Sequence, residues 1–209
     1  MEIREYGDRD ASVVLIQPVD GYDLEGMENE VKLIREMTGK AFRLIAVRVE
    51  HWNRDLSPWS APAVFGNEPF GGGAAEFLPE VLKLTGNPGK TYYIGGYSLA
   101  GLFALWAATE TEAFHGVAAA SPSVWFPGFV DHVKKNGVKC ETIYLSLGDR
   151  EEKTKNPVMA AVGGRIRELA EWLWSEGVSC TLEWNEGNHF REPDVRTAKA
   201  FAWVLNEAK

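Results

Sequence analysis

A serine flanked by small residues lies near the middle of the chain, where a strand pattern gives way to a helix pattern. Residues 95–101 read GGYSLAG, so Gly96 lies two positions before Ser98 and Ala100 two positions after it. This resembles the G-x-S-x-G turn that exposes a reactive serine between a strand and a helix, where a strained backbone requires small neighbours. Ala100 departs from the strict pattern but is still small. The pattern is short, and its position before a buried helix favours Ser98 as a nucleophile.

Two backbone N–H groups are expected to stabilise the oxyanion that forms when such a serine attacks a carbonyl group. The amide of Leu99 would be the first donor, because the helix behind the serine directs its N-terminal amides and its dipole toward that oxygen. The second donor would come from the loop that follows the early strand VVLIQPVDG. Pro18 has no N–H, so the sequence predicts Val19 or Asp20 in this role.

One of the four histidines follows the last predicted strand. In hydrolases built around this type of turn, the catalytic residues follow in the chain order Ser, Asp or Glu, His. His189 lies in the segment EGNHF ahead of the final helix, and it alone fits that order. His51, His115 and His132 all precede either the serine or the expected acid. We therefore predict that His189 is the general base for Ser98.

The partner of this histidine is expected in the loop after the strand at residues 142–147. That loop reads GDREE over residues 148–152 and offers three carboxylates. The acid would accept the imidazole N–H, fix its tautomer and stabilise the imidazolium. Hydrolases commonly place the acid three residues after a glycine that ends the strand, and this spacing selects Glu151. Asp149 lies nearer the strand and remains the alternative. Glu152 is expected to face solvent.

Strand and helix patterns alternate along the chain and must position these residues. Predicted strands cover residues 12–17, 42–49, 91–95, 116–120, 142–147 and 178–184, and predicted helices include 24–37, 99–109 and segments around 166–173 and 198–205. Several strands are apolar almost throughout, which is typical of a parallel sheet covered on both faces. The alternation predicts the α/β class, with a doubly wound, mostly parallel sheet flanked by helices in one domain over residues 1–209. The site should lie beyond the carboxyl ends of the strands.

One long segment interrupts this alternation. Residues 50–73 are rich in proline, glycine and aromatic residues and follow a predicted strand, so they emerge on the side of the sheet where the site is expected. Long segments without regular structure are uncommon and usually functional. We expect a pocket wall or a partial lid here. Aromatic residues that could line the substrate pocket are Trp52, Trp59, Phe65, Phe70, Trp125 and Phe126.

Further segments resemble a known enzyme family. SPSVW at residues 121–125 is similar to the SPSLWW signature of an esterase family of α/β-hydrolases that includes the enterochelin esterases. Residues 54–58 and 70–78 resemble the RxxDYTP and GGGAxxFL segments of that family, and residues 148–151 resemble its Gly-x-x-Glu loop. The resemblance implies an α/β-hydrolase fold, hydrolysis of carboxylic esters, Glu151 as the acid, and no metal or organic cofactor. Asn188 departs from the family, which usually has glycine before the histidine.

The overall composition excludes several classes of partner. The net charge is −8, with 22 Lys and Arg against 30 Asp and Glu, and the basic residues are not clustered, which argues against nucleic acid. No apolar run approaches the roughly 18 residues of a membrane span, and the first residues lack the apolar region of a signal peptide. Cys140 and Cys180 lie too far apart for a CxxC motif, so we expect reduced thiols and a cytoplasmic location. The sequence predicts no particular oligomeric state.

Together these patterns predict a serine esterase. It would cleave a carboxylic ester with a small or aryl acyl group through an acyl-enzyme intermediate, and its partner would be a small-molecule ester. Two alternatives stay open at this point. The same groups serve all acyl transfer, so a thioesterase or peptidase would use the same site. A binding or scaffold protein could retain the fold without catalysis, because fold alone does not establish activity.

Overall fold

A central sheet of seven strands, with a separate pair of short strands, is found within residues 2–207, the part of the chain that the computed structural model describes. The strands in chain order are β1 (Glu2–Gly7), β2 (Val13–Val19), β3 (Arg43–Arg48), β4 (Ser60–Ala61), β5 (Phe70–Gly71), β6 (Thr91–Tyr97), β7 (Gly116–Ala120), β8 (Thr142–Gly148) and β9 (Ser179–Asn185). The central sheet has the order β1-β3-β2-β6-β7-β8-β9, and β4 pairs with β5 in an antiparallel hairpin. Within the central sheet only the β1–β3 pair is antiparallel.

Helices cover both faces of this sheet. They are α1 (Asp23–Thr38), α2 (Trp52–Asp55), α3 (Ala74–Leu82), α4 (Leu99–Glu110), α5 (Phe129–Asn136), α6 (Pro157–Ala160), α7 (Val162–Ser175) and α8 (Pro193–Glu207). Residues of α3, α4, α5 and α7 pack in one apolar core, and residues of α1 and α8 pack in the other. None of the helices in the described part of the chain combines the length and the apolar character needed to cross a bilayer.

The two cores explain why the parallel strands read as continuous apolar runs. Successive side chains of a strand point to opposite faces, so both faces of a covered sheet must be apolar. In β2, Val14 and Ile16 belong to the core that contains α4, whereas Leu15 belongs to the core that contains α1. Helix α4 is buried from Leu99 to Thr109 because it packs against the sheet and its neighbours on every side. The predicted doubly wound α/β architecture is confirmed.

Strand β1 was not predicted from the sequence. Its sequence EIREYG is mostly charged and exposed, because β1 lies at the edge of the sheet with one neighbour only. Its carboxylates pair with arginines of β3: Glu5 lies 2.7 Å from Arg43, and Glu2 lies 3.0 Å from Arg48. A strand held in this way lacks the apolar run that marks the central strands. Helices α3 and α5 were also absent from the prediction.

The segment over residues 50–73 is more ordered than the sequence suggested. It contains helix α2 and the β4–β5 hairpin, separated by turns. Inside the hairpin, the Ser57 hydroxyl accepts a hydrogen bond from the Gly72 N–H at 2.9 Å and donates one to the Asn53 carbonyl at 2.7 Å. A Cβ atom on Gly72 would lie 2.7 Å from the backbone nitrogen of Ser60, so the two sides of the hairpin approach closely only with glycine at this position.

Candidate active site

The serine turn connects β6 to α4 directly. Tyr97 ends the strand, Leu99 begins the helix, and Ser98 between them has φ 57° and ψ −118°. A positive φ at a non-glycine residue is strained and persists only where the surrounding structure holds it. Three hydrogen bonds do so here. The Ser98 N–H donates a hydrogen bond to the Ala120 carbonyl at 3.1 Å. The Ser98 carbonyl accepts two hydrogen bonds at 3.1 Å, one from the Leu102 N–H in the next turn of α4 and one from the Ser123 N–H in the loop after β7.

Small residues around Ser98 are required by close packing. A Cβ atom on Gly96 would lie 2.7 Å from the Cβ of Ala100, and one on Gly95 would lie 2.5 Å from the Ala118 carbonyl oxygen. The side chains at positions 96 and 100 therefore compete for the same space. Alanine fits at position 100 because position 96 is glycine. The departure from the strict motif leaves the turn intact.

Ser98, His189 and Glu151 form a continuous hydrogen-bonded chain. His189 Nε2 lies 3.0 Å from Ser98 Oγ, and its Nδ1 lies 2.7 Å from Glu151 Oε2. The residues come from three loops at the carboxyl ends of β6, β8 and β9. The imidazole is partly exposed, whereas the glutamate side chain is only 4% exposed. This geometry allows a proton to pass from the hydroxyl to the imidazole while the carboxylate orients the ring.

Glu151 is held by donors on both oxygens. Its Oε1 accepts hydrogen bonds from the Gly148 N–H at 2.7 Å and the Ser121 hydroxyl at 2.8 Å, while His189 lies at Oε2. Burial alone would raise the pKa of this carboxyl group. The hydrogen bond and the charge of His189, followed by the bonds from Gly148 and Ser121, outweigh burial and lower the pKa below its ordinary value. The group is therefore ionised at neutral pH.

The other two carboxylates of this loop make different contacts. Asp149 Oδ1 accepts the Gly187 N–H at 2.7 Å and so connects the loop after β8 to the loop that carries the histidine. Glu152 pairs at 3.0 Å with Arg167 on the surface. Of the three acidic side chains, the structure brings Glu151 to the imidazole.

Arg196 was missed by the sequence analysis, although it connects most of the site. Its side chain is 2% exposed, and Nη1 donates to Glu151 Oε1 at 3.0 Å, to the Tyr97 hydroxyl at 3.0 Å and to the Ser121 hydroxyl at 3.2 Å. Its Nη2 donates to the carbonyls of Glu186 and Asn188, which flank the histidine loop, at 3.0 and 3.1 Å. The last helix was predicted around residues 198–205, so Arg196 lay outside it, whereas in the structure it belongs to the first turn of α8. No local pattern shows that this polar turn faces inward.

The SPSVW segment contacts both ends of the hydrogen-bonded chain. Ser121 has a positive φ of 43° and donates its hydroxyl proton to Glu151. Two residues later, the Ser123 N–H donates to the Ser98 carbonyl, and its Oγ lies 3.3 Å from Ser98 Oγ. The segment that carried the family resemblance therefore positions the acid and the serine.

Two cavities have His189 in their walls. A cavity of about 170 Å³ is lined by Ser98 and His189 together with Trp52, Asp20 and others. A second, of about 290 Å³, has both apolar and basic residues in its wall; its lining includes Ser121, Trp125, Arg150, Glu151, Lys153, Met159 and His189. Phe190 lines both cavities and is 83% exposed. The imidazole is therefore in contact with both cavities, whereas Ser98 lines only the smaller of the two.

Of the six aromatic residues predicted to line the substrate pocket, four are not in the walls of these two cavities. Trp52 and Trp125 line the two cavities. Phe70 is 2% exposed, and its ring contacts the rings of Trp125 and Phe126 with centroid distances of 5.9 and 5.2 Å. The Trp59 ring packs against Phe126, and its N–H donates to the Pro127 carbonyl at 3.0 Å. Both rings therefore pack on Phe126, and Phe70 also packs on Trp125, which lines a cavity.

The predicted oxyanion donors differ in their surroundings. Leu99 is the first residue of α4, directly behind the serine. Asp20 lines the cavity that contains Ser98, and its N–H lies 3.3 Å from Asp23 Oδ2. Val19 is fully buried in β2, where it pairs with β3. Of the two candidates from this loop, Asp20 lies at the cavity.

The remaining histidines lie away from the serine. His51 lines a separate surface cavity beside α2, His115 lies 3.4 Å from Glu141, and His132 packs against the Trp59 ring. Within residues 2–207, no three His, Cys, Asp or Glu side chains are grouped so that they could hold a metal ion.

Replacement of Arg196 tests its role as a positioning residue. In Arg196→Met, the buried carboxylate of Glu151 loses its cationic partner, so we expect the free energy of unfolding to fall by about 3–5 kcal/mol. We also expect kcat of a reaction catalysed at Ser98 to fall more than KM rises, because the histidine loop loses two of its anchors. Chemical denaturation and steady-state kinetics check both effects. Arg191→Met, an exposed arginine of the same loop, is the matched control and should change stability by less than about 0.5 kcal/mol. An Arg196→Met variant as stable and active as this control would contradict the assignment.

The structure is similar to several solved hydrolases. A siderophore hydrolase, EstA from Aspergillus nidulans, matches 97% of this chain and 86% of its own, with 20% identity and a TM-score of 0.70. An IroE-like serine hydrolase from Shewanella oneidensis matches 98% and 75%, with 15% identity and a TM-score of 0.77. An enterochelin esterase from Shigella flexneri also matches 98% of this chain, which covers only 54% of that protein, with 17% identity and a TM-score of 0.64.

No protein-family model matches the sequence, and no curated protein matches it either. At identities of 20% and below, the structural matches establish the fold. The chain has the α/β-hydrolase fold, with its mostly parallel sheet flanked by helices. The resemblance to esterases of this class, drawn from the sequence motifs, is confirmed at the level of the fold.

Proposed function

We propose that the protein is a serine esterase in which Ser98 is the nucleophile, His189 the general base and Glu151 the acid. The observation that carries this proposal is the hydrogen-bonded chain of these three side chains, which begins at a serine held in a strained turn. A strained serine next to an oriented imidazole is the arrangement that activates a hydroxyl for acyl transfer. Three of the solved proteins with the same fold are named as a siderophore hydrolase, a serine hydrolase and an enterochelin esterase, which supports hydrolysis of an ester.

The reaction follows from the positions of these groups. His189 Nε2 takes the hydroxyl proton as Ser98 Oγ attacks the ester carbonyl carbon, and the carbonyl oxygen becomes an oxyanion that the Leu99 and Asp20 amides would stabilise. The alcohol then leaves with the proton from the imidazolium, and the acyl group remains on the serine. A water molecule, deprotonated by the same imidazole, attacks the acyl carbon, and the acid is released as the serine recovers its proton. Glu151 stays ionised throughout and stabilises the imidazolium.

The cavities support a small or aryl ester as the substrate. They measure about 170 and 290 Å³, and each contains an indole ring, from Trp52 and from Trp125. We further propose that residues 50–73 act as a wall of this pocket, because Trp52 reaches the cavity at Ser98 while the β4–β5 hairpin packs on the Trp125 side through Phe70. A single functional domain and a cytoplasmic location remain part of the proposal. The free thiols of Cys140 and Cys180 agree with a reducing compartment, and burial raises the pKa of each to about 12.

A matched substrate panel tests the type of bond that is cleaved. The series is p-nitrophenyl esters from acetate to octanoate, each with the corresponding thioester and anilide, and the readout is kcat/KM. We expect the short-chain esters to be the best substrates. Faster cleavage of the thioesters or anilides than of the esters would contradict the esterase assignment. Absence of turnover for the whole panel would favour a binding or scaffold protein.

The pH dependence of a neutral ester tests the role of the histidine. The imidazole must be neutral to accept a proton, and imidazole side chains ordinarily titrate near pH ~6.5. Because the pKa of Glu151 lies below its usual range, this carboxylate is ionised across that window and adds no second ionisation. We therefore expect kcat/KM to be low at acidic pH and to rise to a plateau as the imidazole loses its proton.

Two histidine variants serve as the comparison for this profile. His189→Ala should remove the acidic limb together with most of the rate, whereas His51→Ala should keep the limb, since His51 lies at another cavity. A flat profile between roughly pH 5 and 8 for the wild type would contradict a histidine base.

A further inference from the structure

An acidic cavity adjoins the serine cavity. It measures about 240 Å³, and its wall combines side chains of the loop after β2, of α1 and of α8; the lining residues are Tyr22, Asp23, Glu25, Gly26, Glu30, Pro193, Asp194 and Thr197. Tyr22, Asp23 and Pro193 also line the cavity that contains Ser98. The two spaces therefore lie next to each other and share these three residues as a boundary.

Glu30 lies in the wall of this cavity with a free oxygen. Its side chain is 3% exposed, and Oε2 accepts one hydrogen bond from Gln17 Nε2 at 3.3 Å. Oε1 is buried and has no hydrogen-bond partner among the described residues, and the same holds for Gln17 Oε1. A buried oxygen without a donor costs free energy, so native structures retain one only for a reason.

The charges around this oxygen are all negative. Burial raises the pKa of Glu30 well above its ordinary value, in spite of the Gln17 hydrogen bond, and the charges of Asp23 and Asp194 raise it further. Burial, assisted by the charge of Asp20, also raises the pKa of Asp23 to about 6. Among the residues that line the cavity, none is a lysine or an arginine. A donor that carries positive charge would satisfy this oxygen and would favour the ionised form of both carboxyl groups.

The close approach of α1 and α8 fixes the size of this space. A Cβ atom on Gly26 would lie 3.0 Å from the Cβ of Asp194, and Asn29 Nδ2 donates to Asp194 Oδ2 at 2.7 Å. Asp194 is thereby oriented beside Glu30 and Asp23 at the cavity wall. Tyr22 is 68% exposed at the boundary with the serine cavity, where its ring is able to contact a cation. A cavity of this volume admits an alkylammonium group with its chain directed to the serine.

We propose that the acidic cavity binds the ammonium group of an ester whose acyl chain carries a primary amine, with Glu30 and Asp194 as the residues that select it. This inference rests on the proposed esterase function and names the substrate class of that site. The ammonium N–H donates a hydrogen bond to the free Glu30 oxygen, and the neighbouring carboxylates stabilise its positive charge. The chemistry of acyl transfer at Ser98 is unchanged.

A pair of isosteric esters tests this selection. p-Nitrophenyl 6-aminohexanoate and p-nitrophenyl heptanoate differ in a terminal ammonium in place of a methyl group. We expect the wild type to prefer the amine ester by about tenfold or more in kcat/KM, the effect of one ion pair in a partly buried site. Glu30→Gln and Asp194→Asn should each bring this ratio close to one, and Glu28→Gln, an exposed residue of α1 outside the lining, should keep it. A ratio near one in the wild type, with the heptanoate hydrolysed, would overturn the inference and leave the esterase function standing.

Direct binding separates the inference from the catalytic proposal. Pentylamine and pentanol are titrated against the protein and followed by ligand-observed NMR. We expect pentylamine to bind the wild type at least about tenfold more tightly than it binds Glu30→Gln, and pentanol to show no such difference. If neither ester is hydrolysed but this difference is found, the amine site is supported and the esterase proposal fails. Equal binding of pentylamine to both proteins, or its displacement by Ca²⁺ at these carboxylates, would overturn the amine site.

Discussion

The Ser98→Ala variant is expected to fold as the wild type does and to lose ester hydrolysis by a factor on the order of 10⁶ in kcat. The physical reason is that alanine removes the only atom placed to attack the carbonyl carbon with an imidazole 3.0 Å away. Alanine also lacks the hydroxyl that lies near Ser123, but the backbone hydrogen bonds of the turn remain. Steady-state kinetics on the best ester measure the loss, and the thermal unfolding midpoint checks the fold.

Ser123→Ala is the matched control for this variant. It removes a hydroxyl of the same size from the same cluster but leaves the contact between Ser98 and His189 in place. We expect a loss of activity smaller by several orders of magnitude. If Ser123→Ala were the inactive variant and Ser98→Ala retained near wild-type turnover, the assigned nucleophile would be wrong.

Replacement of the acid should have the second largest effect. In Glu151→Gln, the carbonyl oxygen of the new amide is expected to take the Oε1 position, because three donors, from Gly148, Ser121 and Arg196, meet there. The amide NH₂ then faces His189 Nδ1, which must accept a hydrogen bond instead of donating one. The imidazole is held in the tautomer that carries its proton on Nε2, facing the serine, and cannot act as a base. We expect kcat to fall by about 10⁴-fold.

Asp149→Asn tests the same chemistry at the alternative acid. Asp149 accepts the Gly187 N–H through one oxygen, and the carbonyl of asparagine can accept the same bond. We therefore expect a loss below about tenfold in kcat/KM, measured beside Glu151→Gln on the same ester. If Asp149→Asn were the more damaging change, the acid assignment would be reversed, and similar small losses for both variants would indicate a Ser–His dyad.

The sequence predicted the strands of the central sheet that are buried on both faces. Strands such as β2 and β8 are buried and mostly apolar because helices cover the sheet on both sides, and that pattern is visible without a structure. Strand β1 was missed because an edge strand with charged partners has no such pattern. Helix α3 was missed for a different reason, since Pro79 lies inside it.

The site could be predicted where chemistry is tied to a local motif. Ser98, His189 and Glu151 each follow a strand end, and their residue types are those that the proposed reaction requires. The structure brings the three side chains together, and their catalytic roles stay a prediction. Arg196 has no such signal. Its importance comes from contacts with segments 45 to 99 positions away in the chain, such as Glu151 and Tyr97, and these depend on how α8 packs under the histidine loop. Glu30 likewise reads as an ordinary charge of a surface helix and is buried only by the docking of α8 on α1.

Covalent labelling with a fluorophosphonate probe shows whether Ser98 is a nucleophile activated by His189. The probe reacts with a serine hydroxyl only when a neighbouring base has activated it, so labelling reports the hydrogen-bonded chain rather than mere exposure. Peptide mass spectrometry identifies the modified residue. We expect stoichiometric labelling of Ser98 that is lost in Ser98→Ala and strongly slowed in His189→Ala. Absence of labelling in the wild type, or labelling of another residue by a protein that hydrolyses esters, would contradict it.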